Sequence, residues 1–279
     1  MMMLASDREL ATRLELLYAD ESRRYAEAWS WLDPSVRASS LPVAGGWCTF
    51  TGADSPLTQA VGLGTQGEVT AAQLDALEDF FFRRGASARV AVCPLAHPSL
   101  LQGLAGRGYV PWEFEHVVVR DLGAGSLGVP AASSCVARRV EPDDSETWAR
   151  VVAQGFAEGQ EPDRNGVLLA RVSLLVEGMR CYLAWECEAP VAGGAMVVRG
   201  DLALLTGDAT LPAARGHGAQ TQLIHQRVRE ATAGGCRLVT AGVAPGGRSH
   251  RNFERQGFLV AYTRITVGRN APSGYAPAR

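Results

Sequence analysis

Arg215-Gly216-His217-Gly218-Ala219-Gln220 packs a permanent cation, an imidazole and two glycines into six residues. The chemistry open to that mixture is anion binding. Glycine lets a backbone approach a ligand closely, and a guanidinium matches the oxygens of a phosphate. The neighbouring residues decide whether the turn is placed for it. Residues 202–206, Leu-Ala-Leu-Leu-Thr, read as an apolar strand that ends near Gly207-Asp208-Ala209-Thr210. Downstream, Leu223, Ile224, Val228 and Ala231 share one side of a 3.6-residue period until Gly234-Gly235 stops the helix. A strand that feeds a glycine turn into a helix N-terminus offers unpaired N–H groups and roughly half a positive charge. The ligand expected there carries a pyrophosphate. The turn lacks the third glycine of a dinucleotide fingerprint and the Gly-Lys-Ser/Thr of a P-loop, and the chain contains no lysine.

The elements that must position this turn are legible on both sides. Residues 181–185 and 191–198 read as strands joined by a turn at Glu188-Ala189-Pro190, and Gly200-Asp201 turns into the strand before the loop. After the helix come a strand at 237–241, a loop at Pro245-Gly246-Gly247, a short helix with Ser249 as its expected cap, Gly257 as its stop, and a last strand through Tyr262, Ile265 and Val267. The Arg215 to Gly218 spacing within this order resembles the Arg/Gln-x-x-Gly-x-Gly/Ala loop of the GNAT superfamily of N-acyltransferases. Gln220 stands where that family usually has Gly or Ala. The resemblance covers 134–268, and Asn252 with Gly257-Phe258 is its second specific element.

The resemblance implies an α/β (α+β) fold with a mixed, mostly antiparallel sheet flanked by helices, and acetyl-coenzyme A as donor. It assigns the pyrophosphate to Arg215, Gly216, His217, Gly218, Ala219 and Gln220, and the pantetheine and thioester carbonyl to the backbone of Asp208, Ala209 and Thr210. Asn252 and Phe253 complete the expected cofactor contacts. Acyl transfer to an amine needs a polarised carbonyl, a base and an acid. Strand periodicity places Thr206 and Asp208 on one face with Leu204 and Thr210. Asp208 is therefore the strand-borne base candidate, the alternative being a turn or capping carboxylate. The family's usual acid, a Tyr four residues before the Gly-Phe pair, is Phe253 here, which leaves Ser249 or Asn252 to hydrogen-bond the sulfur or pantetheine. His217 reads equally as a phosphate contact or a solvent-facing spacer, and His225 as a surface or half-buried residue. Arg248, Arg251 and Arg255 reach a 3′-phosphate or are merely solvated. Glu158, Glu161 and Asp163 form either an acceptor pocket for a cationic amine or a solvated loop. His97, His116, His217, His225 and His250 lack metal-ligand spacing.

The implied activity is acetyl-coenzyme A-dependent N-acetylation of a small-molecule amine. The alternative is a catalytically silent acyl-coenzyme A-binding sensor or scaffold.

The N-terminal half repeats part of this pattern. A helix over residues 7–31 carries Leu10, Leu14, Leu17 and Tyr18, and strands are expected near 47–50 and 59–63. Thr70-Ala71-Ala72-Gln73 is a capping box ahead of Leu74, Leu77, Phe80 and Phe81. A strand at 90–92, a helix from Pro98 ending at Gly108-Tyr109, and a strand at 114–119 follow. Two GNAT-like domains are expected: 1–122 degenerate, 123–133 a linker, 134–268 the acyl-coenzyme A domain, and 269–279 a flexible tail. Gln59 to Gly64 also satisfies Gln-x-x-Gly-x-Gly, but the helix is capped only at Thr70, so the string is read as a strand and not as a phosphate loop.

Composition bounds the rest. The 279 residues are 47% hydrophobic, with a formal net charge of −2 and basic residues spread out. That argues against a nucleic-acid surface. No apolar run reaches spanning length, and Asp7, Arg8 and Glu9 follow the opening methionines too soon for a signal peptide, so a cytoplasmic protein is expected. The arginine-only, alanine-rich composition fits a bacterial source, and a monomer or homodimer is expected. Six scattered cysteines without a C-x-x-C pair read as reduced thiols.

Overall fold

The computed structural model describes residues 7–123, 133–273 and 275. Its chain order is α1 (Arg8–Leu32), β1 (Ser39–Val43), β2 (Gly46–Phe50), β3 (Gln59–Val61), α2 (Ala71–Phe82), β4 (Ala88–Val92), α3 (Pro98–Gly106), β5 (Val110–Asp121) and β6 (Cys135–Arg139). Then come α4 (Ser145–Phe156), α5 (Arg164–Leu175), β7 (Arg180–Glu186), β8 (Ala189–Arg199), β9 (Leu202–Thr210), α6 (Ala219–Ala233), β10 (Leu238–Val243), α7 (Arg248–Arg255) and β11 (Leu259–Arg269). The chain is α+β with mixed strand pairing. Most of the expected linker lies outside the described residues. No described helix is long and apolar enough to cross a membrane.

Two compact units emerge from the contacts. One comprises Val117–Val260, the other Ala5–His116 together with Ala261–Arg279. In the second unit the strands run in the order β1-β2-β3-β4-β11. Helix α1 starts from Asp7, whose carboxylate accepts from the Leu10 amide at 2.8 Å. Helix α2 starts from Thr70, where the expected capping box with Gln73 is present in both directions. Strand β3 meets β4 in parallel only at Ala60 and Val90. Beyond it, Gly62 has φ +80°, and a Cβ there would lie 3.0 Å from the Ala19 Cβ and 3.1 Å from the Glu15 carbonyl. Helix α1 thus covers the Gln59–Gly64 string, which carries no helix N-terminus.

The same unit buries a charge. Glu15 on α1 is 0% exposed; it accepts from the Tyr262 hydroxyl at 2.8 Å and from Arg264 at 3.4 Å. Arg264 also pairs with Glu115 and stacks 4.4 Å over the Tyr18 ring. Burial pushes the Tyr262 hydroxyl far above its ordinary pKa, so it stays a donor. Tyr275 packs its ring on Phe82 and donates to Asp79 at 2.7 Å.

In the unit of Val117–Val260 the strands run β5-β10-β9-β8-β7-β6. Helix α6 lays Leu223, Ile224, Val228 and Ala231, the expected stripe, on one face of this sheet with Ala203, Leu205, Val239 and Ala241. Helix α4 lays Trp148, Val151 and Val152 on the other face with Ala195 and Ala209. Two adjacent glycines of β8 admit these two layers. A Cβ on Gly193 would lie 2.5 Å from Val152, and one on Gly194 would lie 2.9 Å from the Arg227 guanidinium. Their opposite faces follow from the two-residue period of a strand.

Candidate functional site

Strands β9 and β10 pair in parallel from Leu202 with Leu238 to Leu205 with Ala241, and then part. Both continue, β9 to Thr210 and β10 to Val243. Each then turns into a helix, β9 through a 3₁₀ turn at Pro212–Ala214 into α6, β10 through a loop into α7. The gap between two parted parallel strands is thus flanked by two helix N-termini. Neither helix has a side-chain cap.

The wall of the gap on β9 is irregular. Its register with β8 shifts between Gly193, opposite Ala209, and Ala195, opposite Thr206. Gly207 and Asp208 therefore face one residue, Gly194. Gly207 takes φ +67° to make this bulge. The extra residue changes the face of everything after it. Alternation from Leu204 predicts Asp208 on the Leu204 face; instead its carboxylate meets Arg227 of α6, on the face of Ala203 and Leu205. A bulge breaks the two-residue period, and no propensity in the sequence announces it.

Asp208 and Arg227 form a closed pair. Asp208 Oδ2 accepts from Arg227 Nη1 at 3.1 Å, and Oδ1 accepts from Nη2. The Arg227 side chain is fully buried, that of Asp208 11% exposed. Burial raises the Asp208 carboxyl above its ordinary 3.8, and the Arg227 charge opposes that shift.

The loop after β9 is tied down by two carboxylates that the sequence did not single out for that role. Arg215 donates to Glu158 at 2.6 Å, to the Gly155 carbonyl at 3.2 Å and to the Thr210 carbonyl at 3.3 Å. His217 Nδ1 lies 3.0 Å from Glu186, which also accepts from Ser134. The Arg215 hydrogen bond holds the Glu158 carboxyl below its usual 4.5, and the Ser134 and His217 bonds do the same for Glu186. The His217 side chain is half exposed, with Nδ1 against Glu186. Gly216 and Gly218 take φ +93° and +90°, and Gly218 is the N-cap of α6, followed by Ala219. A Cβ on Gly216 would meet nothing within 4 Å, whereas one on Gly218 would lie 2.9 Å from Ser133 Oγ.

Three expected site residues on two helices converge. Gln220 in the first turn of α6 donates to Ser249 Oγ at 2.8 Å, and Asn252 donates to Gln220 Oε1 at 2.7 Å. Arg255 donates to Asn252 Oδ1 at 3.1 Å. Ser249 lies inside α7, whose N-cap is Gly247, so its hydroxyl meets Gln220 instead of capping the helix. Phe253 is not on the gap: it is 1% exposed and packs edge-on against Phe258, ring centroids 4.9 Å apart.

On the far side of the loop, the acidic segment between α4 and α5 is partly committed to structure. Glu158 holds Arg215, and Asp163 caps α5 by accepting from the Gly166 amide at 2.7 Å. Arg251 donates to the Gly246 carbonyl at 2.8 Å. Among the described residues, no group of three or more His, Cys, Asp or Glu could hold a metal ion.

No protein-family model and no curated protein matches this chain. Solved structures do match. A GCN5-related N-acetyltransferase from Kribbella flavida is 17% identical with a TM-score of 0.61, covering 90% of this chain and 96% of that one. A tandem GNAT protein from the clavulanic acid biosynthesis pathway is 16% identical with a TM-score of 0.58, covering 96% and 98%. A GCN5-related N-acetyltransferase from Sphaerobacter thermophilus is 17% identical with a TM-score of 0.53; the match covers 66% of this chain and 60% of that one. With the parted strands, the bulge and the glycine loop, these likenesses establish that the chain has the fold of the GNAT superfamily.

Proposed function

We propose that the unit of Val117–Val260 transfers an acetyl group from acetyl-coenzyme A to the amine of a small molecule. The observation that carries this reading is the parting of β9 from β10 after Leu205 and Ala241, flanked by the N-termini of α6 and α7. A narrow slot between strands suits an extended pantetheine, and uncapped helix starts suit the diphosphate at its end. Gly216 and Gly218 fit that group, because they bring bare backbone to the first turn of α6.

When bound, the cofactor supplies an activated thioester. The amine nitrogen attacks its carbonyl carbon, the C–S bond breaks, and the proton lost by nitrogen ends on the sulfur. The chain's own part is to hold and polarise. Backbone of Asp208, Ala209 and Thr210 lines the slot at the bulge and serves the carbonyl. Asn252 serves the pantetheine. Because Gln220 donates to Ser249 Oγ, the Ser249 hydroxyl hydrogen is turned elsewhere, and we assign it to the departing thiolate. Glu158 offsets the charge of Arg215 and Glu186 engages His217 Nδ1, so backbone N–H groups are the main hold on the diphosphate. The N-terminal unit repeats the strand–loop–helix–strand–helix order, which supports reading the chain as a tandem protein. Helix α1 lies over its loop, so we assign one donor site per chain. Six free thiols suit a reducing, cytoplasmic setting.

A second reading, a silent acyl-coenzyme A sensor, draws support from Phe253, whose buried ring puts no hydroxyl on the slot, and from Gln220 bridging α6 to α7. Thiol release from acetyl-coenzyme A across a panel of small amines separates the two. Amine-dependent release supports transfer, whereas cofactor binding with no release from any amine supports the sensor.

A further inference from the structure

Arg227 is a fully buried cation on a helix that otherwise presents Leu223, Ile224, Val228 and Ala231 to the sheet. A buried charge is costly unless every donor finds a partner. Here they are found around one feature, the bulge. Nε donates to the Leu223 carbonyl of its own helix at 3.0 Å. Nη1 donates to the Ala195 carbonyl at 2.9 Å, to the Thr206 carbonyl at 3.4 Å and to Asp208, and Nη2 completes the Asp208 pair. Ala195 and Thr206 are the register partners at the edge of the bulge, and Asp208 lies within it. One guanidinium therefore pins β8, the residue before Gly207 and the residue after it.

That pinning controls where backbone groups of the slot point. Gly207 and Asp208 have no register partner on β8, and β10 has already parted from β9 at Leu205. Neither residue therefore has a one-to-one ladder partner on either side. Glycine adopts a φ of +67° without strain, so the conformation of this peptide is set by what surrounds it. Gly194 is shaped for the same purpose, since a Cβ there would lie 2.9 to 3.2 Å from the guanidinium atoms and displace it.

We propose that Arg227, with Asp208 as its counter-charge, is a positioning residue that aims the backbone N–H of Asp208 at the acyl carbonyl of the donor. The proposal rests on the transferase reading of the same slot. It gives Asp208 a structural task in place of the proton-accepting one its sequence position suggests. Both carboxylate oxygens are engaged by the guanidinium under α6, on the face away from α4. The pyrophosphate loop takes no part in this, so donor affinity and carbonyl polarisation become separable properties.

The test uses the full-length protein, [1-¹³C]acetyl-coenzyme A and three variants: Arg227→Met, Arg227→Lys and Asp208→Asn. Isotope-edited infrared spectra report the bound thioester carbonyl, and calorimetry reports affinity for coenzyme A. In the unsubstituted protein the carbonyl band shifts to lower frequency on binding. Arg227→Met is expected to abolish most of that shift while coenzyme A affinity changes less than about threefold, and to lower kcat by roughly a hundredfold, the usual effect of losing one well-aimed donor. Arg227→Lys keeps the buried charge but cannot reach all three carbonyls. It serves as the second variant should Arg227→Met fail to fold, and is expected to recover only part of the shift. Asp208→Asn, which keeps a hydrogen-bonding partner for Arg227, is expected to retain more kcat than either. A carbonyl band unmoved by folded Arg227 variants overturns the positioning role while leaving the transferase reading intact. An Asp208→Asn variant as slow as Arg227→Met, with the carbonyl shift intact, returns Asp208 to the role of base and likewise overturns it. Absence of any coenzyme A binding by the unsubstituted protein removes both readings together.

Discussion

Gly218 and Ser133 stand so close that a Cβ on the glycine would lie 2.9 Å from the serine Oγ. Ser133 in turn donates to the His217 carbonyl at 2.8 Å, so the hydroxyl fixes the backbone of the loop and leaves no room beside it. Gly218→Ala faces this collision and a φ of +90° as well. Gly216→Ala faces only the φ of +93°, because the space around it is open. By calorimetry, acetyl-coenzyme A affinity is expected to fall about tenfold or more in Gly218→Ala, some 1.4 kcal/mol, and less in Gly216→Ala. Equal losses would show that the Ser133 contact is irrelevant.

The carboxylates that hold the loop give it an acid limit. Glu158 and Glu186 both titrate below their ordinary 4.5 when folded, Glu158 through Arg215 and Glu186 through Ser134 and His217. A depressed acid contributes stability above its unfolded value, and that contribution is lost as pH falls through the folded value. The melting temperature of Glu186→Gln should therefore lie below that of the unsubstituted protein at pH 6, and the two should converge below 4.5. A difference that persists unchanged at pH 3 would contradict the pairing.

Thiol reactivity is expected to be confined to one residue. Cys187 is exposed in the β7–β8 turn, and the other five cysteines are buried. Burial raises the Cys93 thiol to about 11 and Cys181 to about 12, and lifts Cys48 further. The thiolate is the reactive form. Ellman's reagent should titrate one thiol of the native chain quickly and the remaining five only after unfolding. Loss of the fast phase in Cys187→Ser checks the assignment.

Arg264 should be indispensable to the N-terminal unit. It neutralises Glu15, which is 0% exposed, and spans to Glu115. Arg264→Met leaves a carboxylate buried without its cation, a change that costs roughly 3–5 kcal/mol. Replacing both, with Glu15→Gln added, should recover part of that loss in denaturant unfolding. An additive double mutant would mean the two side chains do not interact.

How much of this could be read from residues alone depends on whether the signal is local. The α6 stripe, the Gly234-Gly235 stop, the Thr70–Gln73 capping box and the glycine loop are local patterns, and the structure shows each where expected. The covered Gln59–Gly64 string was also legible, because Thr70 showed where α2 begins. Strand β1, with Pro42 and two serines, offers too little β-propensity to be found without its partner β2. The bulge at Gly207 depends on the register of β8, and so does the face of Asp208. Arg227 reads as an ordinary helical arginine until Asp208, 19 residues earlier, is brought beneath it. Glu158 and Glu186 reach the loop from 57 and 31 residues away. Ser249, cap-like in sequence, lies inside α7 and is held by Gln220 across two helices.

The central claim is that the slot between β9 and β10 receives acetyl-coenzyme A, and direct titration calorimetry with differential scanning tests it most plainly. The account predicts saturable binding of one acetyl-coenzyme A per chain, weakened by Gly218→Ala, and a rise in melting temperature that reflects about 2.7 kcal/mol at a hundredfold excess over Kd. No heat of binding and no shift in melting temperature at millimolar acetyl-coenzyme A would contradict it.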